Sequence, residues 1–163
     1  MEKQIYYQFA SYMFTVCYRY IGNRESAEEL LNNGFLKVFK NYPSFEDRGD
    51  NSLKYWIKKI MINECLMFLR QKKKIKFIEI DSIHENSFIE NATDYSDIEI
   101  IHLLQKLPVG CKTVFNLFAI EGFSHQEIAK QLGIKESTSR SQLTLARRLL
   151  KEHLNKMGYE YSR

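Results

Sequence analysis

Along residues 3–40 the apolar positions keep a helical period. Tyr6, Phe9, Met13, Val16, Cys17 and Tyr20 recur at i, i+3 and i+4, as on one face of a helix. Gly22-Asn23 is a usual end signal. A second amphipathic segment follows Ser26. Glu28 and Glu29 stand early in it, where acids suit the positive end of a helix, and Leu30, Leu31, Phe35, Val38 and Phe39 supply its apolar stripe. Residues 41–52 (NYPSFEDRGDNS) are loop chemistry. A third helix is predicted over 53–70, with Leu53, Trp56, Ile57, Ile60, Met67 and Phe68 on one side and Lys54, Tyr55, Lys58 and Lys59 elsewhere. Trp56 therefore falls with the core. Glu64 lies inside the apolar sector and calls for a buried partner.

Helical periodicity fades over residues 75–98, which are acidic and are predicted to form a flexible linker. It resumes at Ile98, Ile101, Leu104 and Leu107 and stops at Pro108. Cys111, Val114, Phe115, Leu117, Phe118 and Ile120 form a strongly apolar helix closed at Glu121-Gly122. Ser124-His125-Gln126-Glu127 then has the form of a capping box, in which Ser124 and Glu127 each satisfy a free backbone N–H. Ile128, Ala129 and Leu132 give the short helix an inner face. Gly133-Ile134 supplies a tight turn, and a longer helix is predicted over 136–154. This is helix-turn-helix grammar. On the second helix Ser139, Leu143, Ala146 and Leu150 face inward, opposite Ser137, Ser141, Thr144 and Arg148, with Arg140 and Arg147 at the flanks. Short hydroxyls beside arginines suit a major groove, because hydroxyls meet donors or acceptors and Arg can fork onto guanine or phosphate.

Composition sharpens this picture. The 163 residues carry a formal charge of +4, with only seven Gly and two Pro, as expected of a mostly helical chain. The charge is unevenly spread. Residues 1–74 hold 13 Lys and Arg against 8 acids, residues 75–99 one Lys against seven acids, and residues 100–163 ten against five. Cys17, Cys65 and Cys111 form neither a disulfide framework nor a metal knuckle, which fits a reduced cytoplasmic compartment. The four histidines lack metal-ligand spacing, and neither a phosphate loop nor a nucleophile elbow is present. No signal peptide or membrane span is evident, so no membrane insertion is expected. Neither catalytic residues nor a cofactor nor a metal is expected.

From Gln4 to Leu154 the chain resembles an extracytoplasmic-function sigma factor of the sigma-70 family, closest to the type common in Bacteroidetes. LPVGCKTVFNLFAIEGFSHQEIAKQLGIKESTSRSQLTLARRLL is similar to region four, which reads the −35 promoter element. AEELLNNGFLKVFKNYPSF resembles the polymerase-binding helix of region two, and LKYWIKKIMINECLMFLRQKKK resembles its −10-reading, strand-opening helix. The resemblance implies an all-α fold of two small helical domains. A region-two domain would span 1–74, an acidic linker 75–98, a region-four domain 99–157 and a tail 158–163.

The same resemblance implies site residues. Glu28, Glu29, Asn32, Asn33 and Lys37 would meet the β′ coiled coil of core RNA polymerase, with Phe35 and Val38 in the same segment but mainly on the core side. Region four would engage the β flap. The loop 41–52 would receive a flipped −10 base, with Phe45 and Asn51 in its pocket or stabilising its turn. Lys54, Tyr55, Lys58, Lys59 and Asn63 would track the non-template strand by stacking and charge. Arg70, Lys72, Lys73 and Lys74 would hold duplex phosphates. His125, Gln126, Ser137, Thr138, Arg140, Ser141, Thr144, Leu145, Arg147 and Arg148 would meet the −35 element. The linker would thread into the polymerase cleft, and an anti-sigma factor is an expected partner.

Four departures stand out. Members of the family usually carry further helical sequence before the residues matching QIYYQF, which suggests a trimmed start. Asn33 replaces an acid, Lys135 a common Ser cap, and Leu145 an Arg. Leu145, taken to lie on the outer side, would touch a thymine methyl. A free-standing helix-turn-helix regulator with an N-terminal sensor or dimerisation domain is the alternative, set apart by the first 74 residues, whose WIKKIMIN…LRQKKK segment and preceding loop have no natural role in a sensor.

Overall fold

The computed structural model describes residues 1–72, 75, 77 and 97–158. They are helical without any strand, and the chain divides into two compact units, Met1–Lys74 and Ile75–Arg163.

In the first unit α1 (Glu2–Ile21), α2 (Arg24–Asn41) and α3 (Ser52–Gln71) pack pairwise around one core. Gly22 ends α1 in the left-handed conformation, at φ 73°, and donates its amide to the carbonyl of Tyr18. The Asn23 side chain caps α2 by accepting from the amide of Ser26 at 2.9 Å, so α2 starts two residues before Ser26. Met13, Val16, Cys17 and Tyr20 of α1 and Leu30, Leu31, Phe35 and Val38 of α2 are all buried. Gly34 lets α2 approach α3 closely: a Cβ there would lie 2.3 Å from Sδ of Met61.

The buried arc of α3 differs from the expected one. It comprises Ile57, Met61, Ile62, Glu64, Cys65, Leu66 and Leu69, while Met67 is exposed and Leu53, Trp56, Ile60 and Phe68 are half-buried. The arc is turned by roughly 100°, one residue step, because α3 packs against both α1 and α2. That rotation also explains Glu64. Its carboxylate accepts from the ammonium of Lys37 on α2 at 2.5 Å.

In the second unit α4 (Asp97–Gln105) precedes α5 (Val109–Phe115), which runs into a wider π-type turn over Asn116–Ile120. There the Glu121 amide reaches back to the Asn116 carbonyl, where an uninterrupted α-helix had been expected. Next come α6 (His125–Leu132) and α7 (Glu136–Lys156). The capping box at Ser124 and Glu127 is formed reciprocally. Gly133 takes φ 66° between the two helices. Lys135 is the N-cap of α7 and makes no side-chain cap bond. Leu104, Leu107, Cys111, Leu145, Ala146 and Leu149 form a core cluster, and the Cys111 thiol lies 3.1 Å from Oε1 of buried Gln142.

Candidate nucleic-acid interface

The inner stripe of α7 holds Ser139, Gln142, Leu143, Leu145, Ala146, Leu149 and His153. Its outer face therefore consists of Ser137, Arg140, Thr144, Arg147 and Arg148, all exposed, with Thr138 and Ser141 half-buried at the edges. The hydroxyls are already oriented. Thr144 Oγ1 donates to the carbonyl of Arg140 and Ser141 Oγ to that of Thr138, both at 3.0 Å, so their lone pairs point outward as acceptors. Arg140 is ion-paired with Glu136, and Arg148 lies 3.9 Å from Glu152.

Leu145 is a correction. It is only 1 % exposed and sits in the core cluster, because α7 is gripped by α4, α5 and α6 over a broad arc. It cannot reach a thymine methyl.

His125 opens α6 at the same surface. Its Nδ1 lies 2.9 Å from Oγ of Ser139, and its ring stacks on Phe118 with centroids 4.4 Å apart. The Arg147 guanidinium stands 5.8 Å from the Phe118 centroid. Burial pushes the imidazole pKa below its ordinary value; Arg140 and Arg147 push the same way, and Glu136 opposes them. Gln126 is exposed beside it.

In the first unit, Ser44, Phe45, Glu46, Arg48, Ser52 and Trp56 line a cleft of about 430 Å³. Phe45 tilts against Trp56 at 5.1 Å and stacks with Tyr42 at 6.0 Å. Trp56, expected in the core, is half-buried and walls the cleft instead. The loop is held by its own bonds: Asp47 Oδ1 accepts from Ser52 Oγ at 2.7 Å and from the Gly49 amide at 3.1 Å. The Ser52 and Gly49 bonds hold the Asp47 carboxyl below its usual range. Asn51 stands outside the cleft lining, in the left-handed conformation at φ 65° immediately before α3.

Beyond the cleft, Tyr55 is 60 % exposed, with the Lys58 ammonium 5.2 Å from its ring centroid. Lys54 places its ammonium 4.3 Å from the ring centroid of Tyr12 on α1, a partner the sequence did not suggest. Lys59, Asn63 and Arg70 are exposed, and exposed Lys72 approaches Phe68. Lys73, Lys74 and the acidic stretch 78–96 lie outside the described residues, as does the tail beyond Gly158.

On α2, Glu28, Glu29, Asn32 and Asn33 share the solvent side, and Glu28 accepts from Arg24 at 2.9 Å. Lys37 is committed to Glu64. Phe35 and Val38 are 2 % and 0 % exposed, so they support the helix from inside and cannot touch a partner. Leu36, at 67 % exposure, is the apolar side chain this face actually presents, and nothing in the stripe pattern singled it out. Among the described residues no group of three His, Cys, Asp or Glu could hold a metal, and no helix is long and apolar enough to cross a membrane.

The Sigma-70 region 2 family model matches residues 5–75, and the Sigma-70 region 4 model matches residues 97–150. The chain is 27 % identical to the ECF RNA polymerase sigma factor SigE of Mycolicibacterium smegmatis over 94 % of its own length, spanning 61 % of that relative. It is 26 % identical to the RNA polymerase sigma factor SigV of Bacillus subtilis, over 95 % of this chain and 87 % of that one. Among solved structures it is similar to the sigma factor RpoE crystallised with the anti-sigma factor NepR from Bartonella quintana. That match has a TM-score of 0.57 and 22 % identity, and covers 94 % of this chain and 96 % of that chain. The helical order, the capped helix-turn-helix and two region matches that together take in most of the sequence agree: the chain belongs to the sigma-70 family of RNA polymerase sigma factors, in its ECF branch.

Proposed function

We propose that the chain joins core RNA polymerase and directs it to promoters, reading a −35 element with α7 and opening and reading a −10 element with α3 and the loop before it. The observation that carries this reading is the presence of both region matches in one chain, each over a unit with an exposed basic face. A free-standing regulator would need only the second.

On the −35 element, Arg140, Arg147 and Arg148 supply charge and forks, and the outward lone pairs of Ser141 and Thr144 accept from base amino groups. On the −10 element, a base leaves the stack at a cost of a few kcal/mol, offset in the cleft by contact with Phe45 and Trp56. A loop already held by Asp47 and Ser52 loses little entropy on receiving it. Tyr55, Lys58 and Lys59 follow the released strand. The α2 face of Glu28, Glu29, Asn32 and Asn33 is the surface for the β′ coiled coil, with the β flap on the second unit. A protein antagonist is the regulatory partner, as NepR is for RpoE in the similar structure. The work is done in the cytoplasm, without a cofactor or catalysis by this chain.

Run-off transcription with purified core enzyme tests the reading. Specific initiation that appears only when the chain is added is the expected result; initiation indifferent to the chain overturns it.

A further inference from the structure

The first helix carries a ring that the core does not need. Tyr12 is 40 % exposed, while its α1 neighbours Met13, Val16 and Cys17 fill the interior. One side of that ring is met by the Lys54 ammonium at 4.3 Å. On α3 the arrangement recurs: Tyr55 is 60 % exposed and met by the Lys58 ammonium at 5.2 Å. Lys54 and Lys58 are one helical turn apart on α3, about 6 Å along its axis. The two pairs thus form one strip of rings and ammonium groups along α3. It begins in the first turn of α3, whose Ser52 lines the cleft beside Phe45 and Trp56.

We infer that Tyr12 is a base-stacking residue for single-stranded DNA, extending the strand-tracking surface of α3 onto α1. The inference rests on the proposed −10 function and adds a contact from a different helix. Paired bases stack on one another and offer no free face, whereas a separated strand presents a π face and a phosphate at every nucleotide. Rings paired with ammonium groups match that repeat. Each ammonium polarises its ring from one side, and the Lys54 contact with Tyr12 is weak enough to exchange for a phosphate. An exposed Tyr whose only task was to hold α1 to α3 would need no second copy of the arrangement one turn along.

The test uses the full chain and two fluorescein-labelled probes, a single-stranded 20-mer deoxyoligonucleotide of randomised sequence and the blunt duplex of the same length, read by anisotropy at fixed salt. Tyr12→Leu is expected to weaken single-strand binding about 5–30-fold, with duplex binding unchanged. Tyr12→Phe and Tyr12→Trp retain the ring and are expected to match or exceed the native affinity. Equal loss on both probes, or no loss with Tyr12→Leu, overturns the inference. Should Tyr12→Leu fold poorly by circular dichroism, Tyr12→Trp decides instead: weaker single-strand binding by a folded Trp variant overturns it. Tyr55→Leu is the reference. If Tyr55→Leu weakens single-strand binding and Tyr12→Leu does not, the Tyr12 assignment alone fails. If neither Tyr55→Leu nor Tyr12→Leu weakens single-strand binding, this inference and the −10 reading fall together.

Discussion

The ammonium of Lys37 on α2 and the carboxylate of Glu64 on α3 are hydrogen-bonded at 2.5 Å, but the two ends of this bridge are not equivalent. The Lys37 side chain is 46 % exposed and that of Glu64 only 10 %. Removing the lysine leaves a nearly buried carboxylate without that ammonium, whereas removing the carboxylate leaves an ammonium that water can reach. Lys37→Ala is therefore expected to cost about 1–3 kcal/mol, more than Glu64→Gln. A variant carrying both Lys37→Met and Glu64→Leu should recover part of the loss, since neither charge remains to be desolvated. Urea unfolding of the three variants checks the order. A Glu64→Gln loss as large as that of Lys37→Ala contradicts it. Because the bridge joins the proposed polymerase-docking helix to the strand-opening helix, its loss should also loosen α2 against α3.

Leu145 gives a second prediction, opposed to the one its sequence position suggests. Truncating a fully buried leucine costs about 2–5 kcal/mol. Leu145→Ala should accordingly lower the denaturation midpoint of the second unit, and selection from randomised −35 duplexes should return the same preferred bases as the native chain. A changed base preference in a variant of native stability would return the residue to the DNA face.

Much of this fold was legible because its signals are local. Ser124 and Glu127 form their capping box at sequence spacing alone, Gly22 and Gly133 take the left-handed conformations their positions suggested, and Lys135 leaves α7 without a side-chain cap. The misplacements came where two neighbours compete for one helix. A wheel assumes a single apolar arc, but α3 is packed by α1 and α2 and α7 by three elements, so the arcs widen and turn. That brings Leu145 inside and leaves Met67 outside. Phe35 and Val38 lie in the segment whose outer face is the proposed docking surface, but they support it from within. Trp56 and Tyr12 acquired their places from contacts across loops and helices, with Phe45 and Lys54, that no periodicity encodes.

Arg140 is held by Glu136 one turn earlier, and DNA must displace that carboxylate before the guanidinium can fork onto a base. Arg140→Ala should weaken −35 binding by about 1–3 kcal/mol and relax preference at one base pair. Glu136→Gln should do the reverse, tightening binding several-fold by freeing Arg140 and removing a negative charge from the surface. Anisotropy titrations at several salt concentrations separate the cases. Uniform weakening across sequences, with a shallower salt slope, would make Arg140 a phosphate contact only.

The imidazole of His125 should make promoter binding pH-dependent, in a direction its surroundings fix. Burial, with Arg140 and Arg147 reinforcing it, holds the folded pKa below the ordinary 6.5. The folded free chain therefore binds fewer protons than the unfolded one as pH falls through that range, so this group contributes stability above about pH 6.5 that is lost on acidification. Bound DNA reverses the local field, because its phosphates neutralise the two arginines and favour the imidazolium. Affinity for a −35 duplex should then rise as pH falls from about 7.5 to about 5.5, with uptake of up to one proton per complex. His125→Gln keeps a polar group beside Ser139 and cannot titrate, so its binding curve should be flat where the native one slopes. The two effects of acid on the native chain are opposite in sign, weaker folding and tighter binding, and a His125→Gln variant that retains the binding slope would move the proton to another group.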